Sequence, residues 1–136
     1  MQKIMKAKTK DAAHLAQLYA KALRATGFAR QASEEGRDEL VQWLEQRCSE
    51  KEIWVRTDEH GPTALGHFDE SKNEVITVVT RDDIEGNGEA TAMLRFLAER
   101  YPSVRVRPVT KGGKAVASKC GFVPSIDDPS AWVRGS

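Results

Sequence analysis

The sequence predicts a mixed α/β domain, on three observations. Segments whose apolar residues recur three and four positions apart are interleaved with short runs in which apolar and polar residues alternate. Three of those runs follow one another between residues 52 and 80, joined by turn-forming residues, which suits an antiparallel meander. A glycine turn, Glu85-Gly86-Asn87-Gly88-Glu89-Ala90, then feeds the last of them into a helix.

In order along the chain, residues 3–9 set Ile4, Lys6 and Lys8 against Met5 and Ala7 and read as a strand, with Thr9-Lys10-Asp11 able to cap a helix after it. Leu15, Leu18, Tyr19, Ala22 and Leu23 mark one face of a first helix from residue 11 to about 25. Residues 26–32 contain Gly27 and lack periodicity. Ser33, with Glu34 and Glu35 after it, supplies an N-cap and acids for the positive end of a second helix, which reaches Cys48 and buries Leu40, Val41, Leu44 and Trp43. The meander comprises residues 52–57, 63–68 and 74–80. Beyond the glycine turn, Ala90, Met93, Leu94, Leu97 and Tyr101 form a helical face that ends at Pro102 and Ser103. Residues 104–109 read as a strand, 114–119 as a short helix stopped by Gly121, and 122–124 and 131–133 as the last pieces of sheet. The order is β-α-α-β-β-β-α-β-α-β, with room for one more strand, and no repeat or linker interrupts it.

A length of 136 residues suits a single domain spanning 1–136, and 40% hydrophobic with 30% charged residues is ordinary for a soluble globular protein. Lys and Arg number 21 against 20 Asp and Glu, so the formal charge of +1 gives no pull toward nucleic acid or an anionic membrane. Cys48 and Cys120 stand far apart, in no CxxC or Cys/His cluster, so no metal site and no disulfide framework is expected. The first ten residues lack the apolar stretch of a signal peptide, and nothing approaches the ~20 apolar residues of a membrane span. A soluble, unprocessed, cytoplasmic protein with reduced thiols is the expectation.

The glycine turn carries the first chemical signal. A strand leading through Gly86 and Gly88 into a helix gathers unpaired backbone N–H groups at the positive end of the helix dipole, which suits phosphate oxygens. Such glycines are more often plain turn residues. No Lys-Ser/Thr follows them, so this is not a Walker loop, and the GxGxxG order of the dinucleotide fingerprint is absent.

Three stretches together resemble the GNAT superfamily of N-acetyltransferases, over nearly the whole chain. Ile4-Met5-Lys6-Ala7-Lys8-Thr9-Lys10-Asp11-Ala12 with its Leu/Ala-rich helix is similar to the family's opening strand and helix. Glu85 to Ala90, with Thr91-Ala92-Met93-Leu94 after it, resembles the Q/R-x-x-G-x-G/A signature, with Glu85 where Gln or Arg is usual. Lys119-Cys120-Gly121-Phe122 resembles the closing helix and its Gly-Phe turn.

The resemblance implies a single-domain GNAT-like fold: a mixed, mostly antiparallel sheet with helices on both faces, splayed between the fourth and fifth strands. It implies acetyl-CoA as acyl donor and an amine of a small molecule or protein as acceptor, attacked directly, in a monomer or homodimer. The backbone of Val78, Val79 and Thr80 would pair with the pantetheine arm, and Glu85, Gly86, Asn87, Gly88, Glu89, Ala90 and Thr91 would hold the pyrophosphate. Thr110 stands where the family often has a coenzyme-contacting Asn. The usual tyrosine acid, four residues before the Gly of Gly-Phe, is here Ala117, and Ser118 and Cys120 are nearby substitutes. A degenerate acyl-CoA-binding sensor or interaction module is the alternative, and a plain α/β adaptor a third reading.

A base must also be found for the amine. Glu74 shares a face with Ile76 and Val78 if the strand alternates regularly. His67, with an ordinary pKa near ~6.5, is the other candidate, although a lone strand histidine is more often structural. Trp43, Trp54 and Tyr19 either line an acceptor pocket or pack in the core, and Lys111-Gly112-Gly113-Lys114 either faces the coenzyme's phosphates or is a solvated loop.

Overall fold

Side chains that alternate between two apolar faces, Ile53, Val55 and Leu65 on one and Trp54 and Ala64 on the other, build one mixed sheet, seven-stranded among the described residues (3–28 and 33–134) of this computed structural model. Its strands are β1 (Met5–Lys6), β2 (Ile53–Asp58), β3 (Gly61–Asp69), β4 (Glu74–Thr80), β5 (Arg105–Val106), β6 (Phe122–Pro124) and β7 (Trp132–Arg134). They lie in the order β1-β2-β3-β4-β5-β7-β6, antiparallel except for β4 beside β5. A parallel pair needs a crossover, which α3 (Glu89–Arg100) supplies.

The helices α1 (Ala12–Ala25) and α2 (Arg37–Ser49) cover one face, where Leu15, Leu18, Leu40 and Leu44 pack on Ile53, Val55, Leu65 and Val79. On the other face α3 and α4 (Lys111–Lys119) set Met93, Leu94, Leu97 and Ala117 against Ala64, Phe68, Val75 and Phe122. Full burial of side chains such as Leu15, Leu65 and Leu97 contributes about 1.5–3 kcal/mol each. Gly66 admits α3 closely: a Cβ there would meet Met93 Cγ and Sδ at 2.9 Å.

Several details differ from the pattern reading. The first strand shortens to two residues because the Asp11 carboxylate accepts from the Lys8 amide at 2.8 Å and draws residues 9–11 into a 3-10 turn. The second helix starts at Arg37, since Ser33 closes a separate turn by accepting from the Gly36 amide. Residues 29–32 of the aperiodic stretch lie outside those described. Trp43 is 41% exposed, not buried, because Leu40, Leu44 and Cys48 make a narrow stripe and position 43 falls at its margin. The strand expected over 104–109 keeps only Arg105 and Val106; Pro108 has no N–H to extend it.

That early end of β5 opens the sheet. Among the described residues β4 and β5 are paired only at Glu74–Arg105 and Val75–Val106, and from Ile76 to Thr80 that edge of β4 has no partner strand. The register against β3 also steps from His67–Thr77 to Phe68–Val75, leaving Ile76 as the extra residue of a bulge.

Candidate active site

The splay is a cleft of about 620 Å³. Its walls are β4 from Val75 to Thr80, the end of α1 around Lys21 and Thr26, the glycine turn, and the start of α4. Of the residues predicted to hold a coenzyme, Val78, Val79, Thr80, Glu85, Gly86, Gly88, Glu89, Ala90, Thr91 and Thr110 line it, and Asn87 lies within the turn.

Gly86 and Gly88 take φ of 91° and 82°, left-handed conformations that an L side chain resists. A Cβ at either would meet nothing within 4 Å, so the backbone conformation rather than crowding calls for glycine. Gly88 is the N-cap of α3, and no side chain among the described residues caps it. The first-turn amides of a helix have no intrahelical partners, and the residues at the positive end of this one, Glu89, Ala90 and Thr91, line the cleft. At the opposite wall Thr110 caps α4, its Oγ1 accepting from the Gly113 amide at 2.9 Å.

The Glu85 carboxylate is not alone at the mouth. Lys21 Nζ lies 2.8 Å from Glu85 Oε2 and 2.7 Å from Asp82 Oδ1, and it donates to the Thr80 carbonyl at 2.7 Å. Burial works to lower the Lys21 pKa, but the bonds to Asp82 and Glu85 outweigh it and the net shift is upward. Arg81 holds the turn from the other side by pairing with Asp58 at 2.7 Å and Asp83 at 2.6 Å, and its hydrogen bond leads the forces that draw Asp58 down to about 2. Lys21 escaped the sequence reading because its partners are 61 and 64 positions away.

The three candidate acid–base residues fall differently. Ser118 is exposed and outside the cleft lining, while its neighbour Ala117 is fully buried and lines it. Glu74 does not share a face with Val78, a correction that follows from the bulge: Val75 and Val78, three apart, both pack against the α3 cluster, so the alternation is reset between them. The Glu74 carboxylate instead accepts from Arg107 Nε at 3.1 Å, and Arg107 also reaches Asp128 at 2.9 Å and Ser130 at 2.7 Å.

His67 is 4% exposed and sits behind Tyr19, which lines the cleft. Its Nε2 is 2.9 Å from Glu52 Oε1, and a carboxylate only accepts, so Nε2 carries the proton. Nδ1 is then the acceptor for the Tyr19 hydroxyl at 2.7 Å. Arg47 completes the series 2.8 Å from Glu52 Oε2, and Trp43 stands edge-on to both Tyr19 and His67. Burial lowers the His67 pKa despite Glu52, and burial followed by the Glu52 charge raises that of Tyr19. Trp54 lies apart, on the α3 side against Phe96, so the three aromatics are not one group.

Burial pushes the Cys48 thiol up to about 11 and also raises Cys120, whose Sγ donates to the Thr91 carbonyl; neither is an activated nucleophile. Among the described residues no cluster of His, Cys, Asp or Glu could hold a metal ion, and no helix is long and apolar enough to cross a membrane.

No protein-family model matches the sequence, and no curated protein matches it. Solved structures do match in fold. The PaiA N-acetyltransferase of Thermoplasma acidophilum, solved in complex with coenzyme A, is 13% identical with a TM-score of 0.71, covering 97% of this chain and 96% of that one. A predicted acetyltransferase of Clostridium acetobutylicum, solved with acetyl-CoA, is 19% identical with a TM-score of 0.68 and covers 93% of each chain. A GNAT-family acetyltransferase of Streptococcus agalactiae is 15% identical with a TM-score of 0.69, covering 99% and 96%. The chain therefore has the GNAT acetyltransferase fold, with the parallel β4–β5 pair and helices on both faces.

Proposed function

We propose that this chain is a GNAT-superfamily N-acetyltransferase that takes the acetyl group from acetyl-CoA and passes it to an amine by direct attack. The observation that carries the reading is the uncapped start of α3, with left-handed Gly86 and Gly88, at the mouth of the β4–β5 cleft. Oriented amides at a helix start suit a pyrophosphate. The unpartnered β4 edge at Val78, Val79 and Thr80 suits the amide-bearing pantetheine arm, and the thioester then lies in the splay. The solved neighbours with coenzyme A or acetyl-CoA support this placement. The acceptor is an amine of a small molecule or protein, and the location a cytoplasmic one.

Titration calorimetry tests it: micromolar binding of coenzyme A, with ATP and NAD at least tenfold weaker, is expected. No coenzyme A binding at saturating ligand would falsify the reading. One observation favours a second function, an acyl-CoA-binding sensor without turnover: buried Ala117 puts a methyl group where the family's tyrosine would serve the leaving sulfur. Thiol release with any member of an amine panel excludes it.

A further inference from the structure

The Tyr19, His67, Glu52 and Arg47 side chains form a chain of short polar contacts that starts at the cleft wall and ends near the surface. The links are 2.7 Å from Tyr19 Oη to His67 Nδ1, 2.9 Å from His67 Nε2 to Glu52, and 2.8 Å from Glu52 to Arg47. Each member comes from a different part of the fold: α1, β3, the residue before β2, and α2. Tyr19 alone lines the cleft; the Glu52 side chain keeps 16% exposure on the far side. A neutral histidine between a hydroxyl donor and a carboxylate is a directional proton path, because Nδ1 is free to gain a proton while Nε2 already holds one to release.

We propose that Tyr19 is a catalytic residue that accepts the proton of the acceptor's ammonium group, and that His67 and Glu52 are positioning residues that carry this proton to solvent. The proposal rests on the acetyltransferase reading of the cleft. The ammonium gives one proton to Tyr19 Oη as the Tyr19 proton moves to His67 Nδ1, leaving a neutral amine and an imidazolium beside the Glu52 carboxylate. The amine nitrogen then forms its bond to the thioester carbonyl carbon. The C–S bond breaks, its electron pair leaves on sulfur, and the second nitrogen proton passes to that sulfur. One ammonium and one thioester thus become one amide, one thiol and one released proton. Because Ala117 offers no hydroxyl to the sulfur, the nitrogen itself is the proton source for it.

The groups facing His67 set the pH response: Tyr19 from α1, Arg47 and the Trp43 ring from α2, Glu52 beside it, Asp69 along β3, and Thr77 opposite on β4. Protonated His67 cannot accept, so turnover falls on the acid side of its pKa and is level above it. The experiment uses the full chain with saturating acetyl-CoA and a panel of primary amines: spermidine, 2-phenylethylamine, kanamycin and a lysine peptide. Thiol release and coenzyme A calorimetry are followed from pH 5 to 9. Tyr19→Phe keeps the ring and its packing, and is expected to lower kcat about 100-fold with coenzyme A affinity within about twofold. Its residual rate, and that of His67→Gln, should track the unprotonated amine and climb about tenfold per pH unit without the plateau. Glu52→Asp, which keeps the carboxylate, should recover part of the rate lost in Glu52→Ala. Unchanged kcat in Tyr19→Phe, or one pH profile shared by wild type and both variants, overturns the relay. So does coenzyme A binding with no thiol release from any amine, whereas absent coenzyme A binding overturns the reading beneath it.

Discussion

Lys21 is held between two parts of the cleft mouth, 2.8 Å from the Glu85 carboxylate and bonded at 2.7 Å to the carbonyl of Thr80, the last residue of β4. A cation from α1 thereby moderates a carboxylate that stands where the family signature has Gln or Arg. The pair is substantially exposed, so its contribution to stability is small, about 1 kcal/mol or less. On the acetyl-CoA reading proposed above, its larger effect would be on the potential at the pyrophosphate.

Replacing Glu85 with Arg removes a negative charge from the mouth and frees Lys21 from one partner. At close range in water a unit charge is worth about 1 kcal/mol and the swap changes the charge by two units, so Glu85→Arg should tighten coenzyme A binding by up to about 30-fold. Calorimetry at low salt and at 1 M NaCl checks it, since the gain should shrink when the screening length drops to ~3 Å. Weaker binding would contradict the pyrophosphate placement.

Gly88→Ala places an L side chain at φ 82° with open space around it. The expected cost is conformational, about 1–2 kcal/mol, read as a lower urea midpoint with an unchanged m-value. Coenzyme A affinity should fall as well, because the same φ aims the first amides of α3.

Gly66→Ala fails for the opposite reason. Its backbone is ordinary, but the added Cβ would stand 2.9 Å from Met93 Cγ and Sδ and 3.0 Å from Leu97 Cδ1. Overpacking of this kind costs about 1–3 kcal/mol. Met93→Ala in the same chain should return part of it, a coupling that a double-mutant cycle of urea melts measures.

Acid should weaken the fold through His67. Burial lowers its folded-state pKa below the ordinary 6.5, so between those two values the unfolded chain binds the extra proton. Stability is then fully present above pH 6.5 and declines as the pH falls toward the folded-state pKa, by at most about 1.4 kcal/mol per unit. His67→Gln should flatten this slope in urea melts between pH 7 and 5. An equal slope in both proteins would show that His67 is not the group responsible.

The elements and their order were legible because each depends on near neighbours: Leu15, Leu18 and Ala22 declare a helical face, and the turns between residues 52 and 80 declare a meander. The glycine turn was legible for the same reason. The Ile76 bulge was not, since Val75, Ile76, Val78 and Val79 put apolar residues at both odd and even positions and alternation carries no clear signal through them. That hidden residue is what undid the placement of Glu74 on one face with Val78. Tyr19 and His67, 48 positions apart, meet only once α1 lies across β3, so a helix-face aromatic and a strand histidine gave no hint of each other. Ser118 fell outside the cleft because the short helix turns Ala117 inward instead.

The meeting of Val75 with Val106 also works as a depth stop. From there to Thr80 the open edge runs roughly 16 Å at the usual rise of a strand, and no further, because the ladder closes. Arg107, bonded to Glu74 on one strand and to Asp128 beyond the other, rivets the point of closure. On the proposed reading, a slender molecule laid along β4 would therefore be brought to rest by the sheet itself. Its reach from the helix-start amides would then be gauged by strand length.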